Sequence, residues 1–371
     1  YDISASVEQL ESISYPVLNM KLSRILENSG IKHSGADPDI ASVTNDSRQA
    51  GPGALFFALP GARTDGANFI RQALGKGASA VISGTEAPGE LRAAYPAAQM
   101  FMTADLPAAL SKVASNFYGQ PSSRLRVFGI TGTKGKTTTA YLLESVLRLA
   151  GARPGVIGTI DYRVDGRLLA QAANTTPLAH TLQELLSKMV SADALTVVLE
   201  VSSHALALGR VEDVAFDCAV FTNLQSDHLD FHKDIESYFK AKARIFELLE
   251  RSPKREKYAV INADDERAPG LLKSLKGKVR AVTFGIEKPS DFRAENIEIL
   301  ETMTRFTLKT GGLALPVKMN LLGRHNIYNA LAAIAASAGG SISPRAAVAG
   351  VEALANVPGR LERVDLGQDF T

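Results

Sequence analysis

Between an apolar run and a helical pattern the chain carries Gly129-Ile130-Thr131-Gly132-Thr133-Lys134-Gly135-Lys136-Thr137-Thr138. That order of glycine, lysine and hydroxyl suits phosphate. Gly129, Gly132 and Gly135 permit a tight turn with inward-facing amides, and those amides attract phosphate oxygens together with the helix N-terminus behind them. Lys136 can reach the β and γ phosphates of a nucleotide, and Thr137 can offer its hydroxyl to Mg2+. The strict phosphate-loop spacing wants glycine at position 130, where this chain has Ile130, so the match is to a variant. Lys134 adds a second cation to the loop, or else it faces solvent.

Further chemistry sits where other apolar runs end. Glu200 closes LTVVLE, and Thr222 to His232 (TNLQSDHLDFH) follows FDCAVF. A carboxylate at the end of an apolar strand is costly unless paired or coordinated, and bound ATP would bring Mg2+ there. Glu200 is therefore a candidate metal ligand rather than a surface acid. His228 is open to two readings, a hydrogen-bonded loop histidine or a ligand. In ESYFKAKARIFELLE, Phe239, Lys242, Phe246 and Leu249 share one helical face, with Lys240 and Arg244 expected in solvent. Desolvation of a lysine in an apolar stripe disfavours its charge. Such a lysine snorkels, pairs with an acid, or offers a neutral amine for chemistry, including capture of CO2 as a metal-binding carbamate.

These residues need a scaffold, and the patterning supplies one. The runs RVFGI, LTVVLEVS, FDCAVFTNL, KYAVINA and RAVTFGI have the look of strands buried on both faces. Helical patterns separate most of them, which predicts a doubly wound, mostly parallel sheet whose ligands bind beyond the strands' carboxyl ends. Alternation from Ile297 to Leu322 around Thr310 to Gly312 predicts an antiparallel hairpin, and Asn326 to Gly339 a helix. The first ~120 residues form a small α/β unit, and Phe117 to Leu125 carries the punctuation of a linker. The expected units are thus 1–121 and 122–360. With 371 residues the chain suits two or three domains. A net charge of +2 gives no sign of a nucleic-acid or membrane surface, and no apolar run approaches the ~20 residues that cross a bilayer. The single Cys218, in AFDCAVF, is expected as a buried thiol and suits a reducing cytoplasm.

Together the motifs resemble the Mur ligases, which use ATP to build the peptide stem of cell-wall precursors, and among them the MurE branch that adds the third residue. The resemblance runs from about Asn45 to Glu362. It implies a uridine-nucleotide pocket at Asn45, Ser47 and the loop Ala62, Arg63 and Thr64. It implies ATP contacts from Gly132 to Thr138 and from Asn326 and Arg360, with Asn326 at the adenine, although Lys134 stands where asparagine is frequent. NTTP and EVSSHALALGRV resemble the muramyl-peptide site, implicating Asn174, Thr175, Thr176, Ser202 and Arg210, with Leu178 where glutamate is common. His228 and Lys242 fall on a second-metal site, the lysine being carbamylated in the family.

The implied partners are UDP-N-acetylmuramoyl-dipeptide, ATP and an amino acid, with Mg2+ on Thr137, Glu200, His228 and carbamylated Lys242. The implied reaction is acyl-phosphate formation followed by attack of the amine, with Lys136 and Mg2+ neutralising charge. PGRLERV resembles the hinge into a third domain that holds the amino-acid pocket. Residues 361–371 would be its start, and without that domain the expected chain binds substrate and makes no peptide bond. A monomer in the cytoplasm is expected. The competing readings are a folylpolyglutamate synthetase-like ligase without the DSR pocket, a plain NTPase switch, and a non-catalytic UDP-sugar binding protein.

Overall fold

The computed structural model describes residues 19–61, 64–277, 279–339 and 341–360. Short apolar runs cut by glycine build the first unit. Strands β1 (Ser42–Thr44), β2 (Ala54–Ala58), β3 (Ala80–Ser83) and β4 (Gln99–Met102) pair in parallel in that order. β2 and β3 are buried at every position, as expected of central parallel strands. Helices α1 (Ile70–Gly75), α2 (Gly89–Ala94) and α3 (Leu106–Phe117) alternate with them. Asp105 caps α3 by accepting from the Ala108 amide, and Pro107 fits the first turn, where no amide partner is needed.

The second unit is organised by β5 (Arg126–Thr131), which ends at the phosphate loop. After it come α4 (Lys136–Leu149), β6 (Pro154–Ile157), β7 (Asp161–Val164), β8 (Arg167–Gln171), α5 (Ala179–Ser191), β9 (Thr196–Glu200) and α6 (Ser203–Ala207). Then follow β10 (Cys218–Phe221), α7 (Ile235–Arg251), β11 (Tyr258–Asn262), α8 (Ala268–Ser274), β12 (Arg280–Gly285), β13 (Phe292–Ile299), β14 (Thr304–Thr310), β15 (Leu313–Met319), α9 (Arg324–Gly339) and α10 (Pro344–Ala353). The strands form one sheet in the order β8-β7-β6-β9-β5-β10-β11-β12-β13-β14-β15. From β6 to β13 neighbouring strands are parallel, and both ends are antiparallel.

One core packs α4, α9 and α10 on one face of this sheet, and another packs α5, α7 and α8 on the opposite face. The sheet is therefore doubly wound, as the patterning predicts. β5 lies between β9 and β10, although β6 follows it in sequence, so the strand order switches there. The carboxyl ends Thr131, Glu200 and Phe221 open at that switch, where such sheets bind ligands.

The expected hairpin is β14–β15, turning through Gly311 and Gly312, both at positive φ, and β13 extends it to three strands. A second hairpin, β7–β8, falls outside the expectation. Its two-residue turn is Asp165-Gly166, with φ of 49° and 77°, and Asp-Gly at such a turn is a strong hairpin signal. Cys218 is buried as expected, and burial raises its thiol pKa.

The two units touch directly. Lys112 of α3 pairs with Asp213, whose amide donates to Ser111 Oγ at 3.0 Å, and Ala179 of α5 lies in the first unit's core. The expected boundary at 121/122 falls inside one 3-10 turn, Pro121–Arg124. The expected start of a third unit at 361–371 lies outside the described residues, as do Ala62 and Arg63.

Candidate active site

The carboxyl ends of β5, β9, β10 and β11 and the start of α9 enclose a cleft of about 960 Å3. The phosphate loop forms its floor. Gly132 (φ 149°) and Gly135 (φ 88°) bend the chain where a side chain has no room. A Cβ on Gly135 would lie 2.3 Å from Asn329 Oδ1. Gly135→Ala is therefore expected to push the loop off α9 and weaken nucleotide binding at least tenfold, as calorimetry with an ATP analogue would read. Unchanged affinity would show that the loop is not the nucleotide site.

Thr133, Lys134, Gly135, Lys136, Thr137 and Thr138 all line the cleft, with Thr175, Ser202, His228, Asn326 and Arg360 around it. Lys136 folds onto its own loop, donating to the carbonyls of Gly132 (2.8 Å) and Thr133 (3.2 Å). Burial lowers its pKa, and Glu200 and Asp227 oppose that shift.

Glu200 is 1% exposed, so it is no surface acid. Its Oε2 accepts from Thr137 Oγ1 at 2.9 Å and from Thr159 Oγ1 at 3.0 Å, and its Oε1 accepts from the Thr159 amide at 3.0 Å. Only neutral donors bond this buried carboxylate, next to a loop shaped for anions. A carboxylate and a hydroxyl oxygen at that point fit a hard divalent cation such as Mg2+.

The main chain of Glu200 faces the other half of the site. Its carbonyl accepts from Thr176 Oγ1 at 2.8 Å, and Thr176 O accepts from Arg210 Nη1 at 2.8 Å. Among the described residues, Arg210 Nε is buried without a hydrogen-bond partner, a donor left over for an anionic group. Thr175 bonds Thr159 at 3.1 Å, Asn174 O accepts from the Tyr162 hydroxyl, and Ser202 caps α6 through the Ala205 amide. One residue thus couples the phosphate loop to the Thr176–Arg210 side.

Lys242 is 1% exposed on α7, its Nζ donating to Gly132 O at 2.9 Å and lying 4.3 Å from the centre of the Tyr238 ring. It neither snorkels nor pairs with an acid. Burial, and next the Lys136 cation, bring its pKa down to about 6. The buried face of α7 holds Tyr238, Lys242, Ile245, Phe246, Leu248 and Leu249, while Phe239 is only half-buried. Arg244 also departs from expectation: it pairs with Glu212 at 2.8 Å and buries its Nε, whereas Lys240 is exposed.

His228 sits at the rim with its side chain 51% exposed, its Nδ1 3.9 Å from the carboxylate of Asp227. Its ring lies 5.1 Å from that of His204 and 6.2 Å from that of Tyr238. Lys242 and His228 thus both neighbour Tyr238. Among the described residues no three His, Cys, Asp or Glu side chains are placed to share a metal.

Asn326 is buried at the α9 start, donating to Leu322 O and accepting from Asn329. Two residues outside the sequence expectation complete the region. Thr159 ties Glu200 to Thr175. Asp264 gathers the amides of Ile286, Glu287 and Lys288 and the hydroxyl of Tyr328 at the cleft's other end. A signal existed only for Asp264, in Asp264-Asp265 just beyond an apolar strand. The expected uridine residues lie elsewhere: Ser47 is buried against Gln72 at 2.7 Å, Asn45 is half-buried and Thr64 exposed, and none lines this cleft.

Residues 130–337 match the model of the Mur ligase middle domain, and residues 39–118 that of the Mur ligase family catalytic domain. The chain is 43% identical over 335 residues to UDP-N-acetylmuramoyl-L-alanyl-D-glutamate--2,6-diaminopimelate ligase of Solibacter usitatus, covering 90% of this chain and 66% of that protein. With the protein of the same name from Streptomyces coelicolor it shares 42% over 353 residues, covering 94% and 67%. A solved structure of a ligase of that name superposes with a TM-score of 0.80 at 28% identity, covering 94% of this chain and 69% of the other. The chain spans about two thirds of the length of these curated relatives.

Proposed function

The chain belongs to the Mur ligase family, and from that premise we propose that it provides the ATP and UDP-muramyl-peptide sites of an ADP-forming ligase. The ligase adds the third amino acid to UDP-N-acetylmuramoyl-L-Ala-D-Glu in peptidoglycan precursor synthesis, in the cytoplasm. The residue that carries this reading is Glu200, whose carboxylate meets the phosphate loop at Thr137 and whose carbonyl meets the acceptor side at Thr176. A γ-phosphate and a substrate carboxylate held on those two sides would be neighbours, which is what phosphoryl transfer chiefly requires.

In this reading the unit 1–121 holds uridine around Asn45, Ser47 and the loop at 62–64, and the unit 122–360 holds ATP. Arg210, with its unused Nε, orients the muramyl-peptide carboxylate or phosphate. That carboxylate attacks the γ-phosphorus and ADP leaves, giving an acyl phosphate. The incoming amine attacks the acyl carbon, phosphate leaves, and the nitrogen gives up a proton. Lys136 faces the charge moving onto the β–γ bridge. When bound on the Thr137 and Glu200 oxygens, Mg2+ would neutralise triphosphate charge.

Lys242 takes up CO2 in this proposal. Its uncharged amine attacks the carbon and loses a proton, leaving a carbamate whose N–H still has Gly132 O to donate to. The product is a carboxylate beside Gly132, and with His228 it would supply donors for a second Mg2+. The relatives' names point to diaminopimelate as the amine.

Two measurements test the proposal. Calorimetry on this chain should detect UDP-N-acetylmuramoyl-dipeptide, and Arg210→Ala should weaken that binding at least tenfold. Phosphate release by a ligase carrying this chain should require that dipeptide together with one member of a panel of amino acids. ATP hydrolysis indifferent to the dipeptide, or no binding of it, would reject the ligase reading in favour of a plain NTPase.

A further inference from the structure

Lys134 is the cation that phosphate-loop chemistry does not need, because Lys136 already serves. Its main chain is clamped to the segment after β10. The Lys134 amide donates to Asn223 Oδ1 at 3.0 Å, and its carbonyl accepts from Thr222 Oγ1 (2.7 Å) and Asn223 Nδ2 (3.1 Å). Thr133 is laced to the same segment, donating to Asn223 O at 2.9 Å and accepting from the Gln225 amide at 3.0 Å. That lacing reaches no further than Gln225. Beyond it lies the Asp227-His228 turn, with His228 in the left-handed region at φ 53° and its carbonyl accepting from the Phe231 and His232 amides at 3.2 and 3.0 Å.

The Asp227 carboxylate lies 3.9 Å from His228 Nδ1 and has two further contacts. Its Oδ1 accepts the His228 amide at 3.0 Å, and its Oδ2 lies 3.5 Å from Lys134 Nζ. The rings of His204 and Tyr238 flank the imidazole from α6 and α7. Lys134 reaches the turn from the phosphate-loop side, from a base that the Thr222 and Asn223 bonds keep in place.

We infer that Lys134 is a positioning residue: through Asp227 its ammonium holds the His228 turn against the phosphate loop, with the imidazole at the rim of the cleft. The part played by His228 in catalysis rests on the ligase reading above, whereas the tether itself does not. Lys134 is exposed, at 68% accessible, and Asp227 half-buried, at 33%, so salt should loosen the pair.

Hydrogen–deuterium exchange on the full chain, read by mass spectrometry over residues 226–230, tests the tether. Lys134→Met should speed exchange there by about two- to fivefold, the scale of an exposed ion pair, with the melting temperature unchanged. Lys134→Arg should keep the slow rate. Asp227→Asn, which retains an acceptor for the His228 amide, should match Lys134→Met, and the two together should add nothing further. Raising NaCl from 0.05 to 1 M should speed exchange in the wild type and leave Lys134→Met unaffected. Wild-type exchange in Lys134→Met, or additive effects of the two substitutions, would overturn the inference. In a ligation assay of a ligase carrying this chain, Lys134→Met should lower kcat more than it raises KM for ATP. Altered exchange without that change would retain the tether and reject a metal role for His228.

Discussion

Lys242→Ala is expected to abolish phosphate release by a ligase carrying this chain, and added short carboxylic acids should restore part of it. A lysine 1% exposed, bonded to one carbonyl and beside the Lys136 ammonium, is a poor place for a positive charge, and its pKa accordingly lies at about 6. At neutral pH the amine is free to take CO2, and the substitution removes the carboxylate so formed. Formate or acetate can enter the cavity left by the side chain and supply a carboxylate again. Rescue should saturate with acid concentration and should not occur in Lys136→Ala, whose defect is cationic. Full activity of Lys242→Ala without added acid would end the carbamate proposal.

The same burial has a consequence for stability that needs no substrate. Between the folded pKa of about 6 and the ordinary 10.5, the folded chain binds fewer protons at Lys242 than the unfolded chain does. Stability of the CO2-free protein therefore rises with pH across that window, by at most about 1.4 kcal/mol per unit. It is fullest above 10.5, and the gain is gone once pH has fallen through 6. Lys242→Met should remove this contribution to the slope, as urea unfolding at pH 6.5 and 9 in degassed buffer would show. Equal slopes for the two proteins would mean that Lys242 keeps its proton.

Arg163→Met is expected to destabilise the fold by about 3–5 kcal/mol, the range found when one partner of a buried ion pair is removed. Arg163 on β7 donates through Nε and Nη2 to Glu144 on α4, at 2.6 to 3.0 Å, and pairs with Asp161 through Nη1. Both main partners are buried, and the guanidinium lies 3.9 Å from the centre of the Tyr141 ring. The substitution strands the Glu144 carboxylate in a medium that cannot solvate it. Arg163→Met with Glu144→Leu should recover most of the loss, because no buried charge then remains at α4. Denaturant midpoints decide between these outcomes. A loss below about 1 kcal/mol in the single variant would show that water reaches the pair, as at an exposed bridge.

Much of this architecture can be read locally. Strands buried on both faces have to be continuous apolar runs, so β5, β9, β10 and β11 announce themselves, whereas β12 departs from that expectation with Arg280 and Ala281 exposed, and the residues at the ends of these strands inherit a place on one rim. Lys136 and Thr137 are legible in the glycine-lysine-threonine order of the loop, and Glu200 in its place at the end of an apolar run. Asp165-Gly166 carries the β7–β8 turn equally plainly, although β7 and β8 are short and β8 is only half-buried. The three- and four-residue spacing of α7 was enough to bury Lys242.

The rotation of α7 was not in that pattern. Its packing against the sheet puts Tyr238 inside and leaves Phe239 half-buried under Arg267. Partner choice was equally beyond local reading. Glu200 finds Thr159 at a separation of 41 residues, and Lys242 finds the Gly132 carbonyl at 110. Lys134 finds Asp227 only because β5 and β10 are neighbours. Sequence periodicity specifies which face of an element is apolar. It carries no information on strand order, and strand order decides which loops lie side by side and therefore which hydrogen bonds and ion pairs can form.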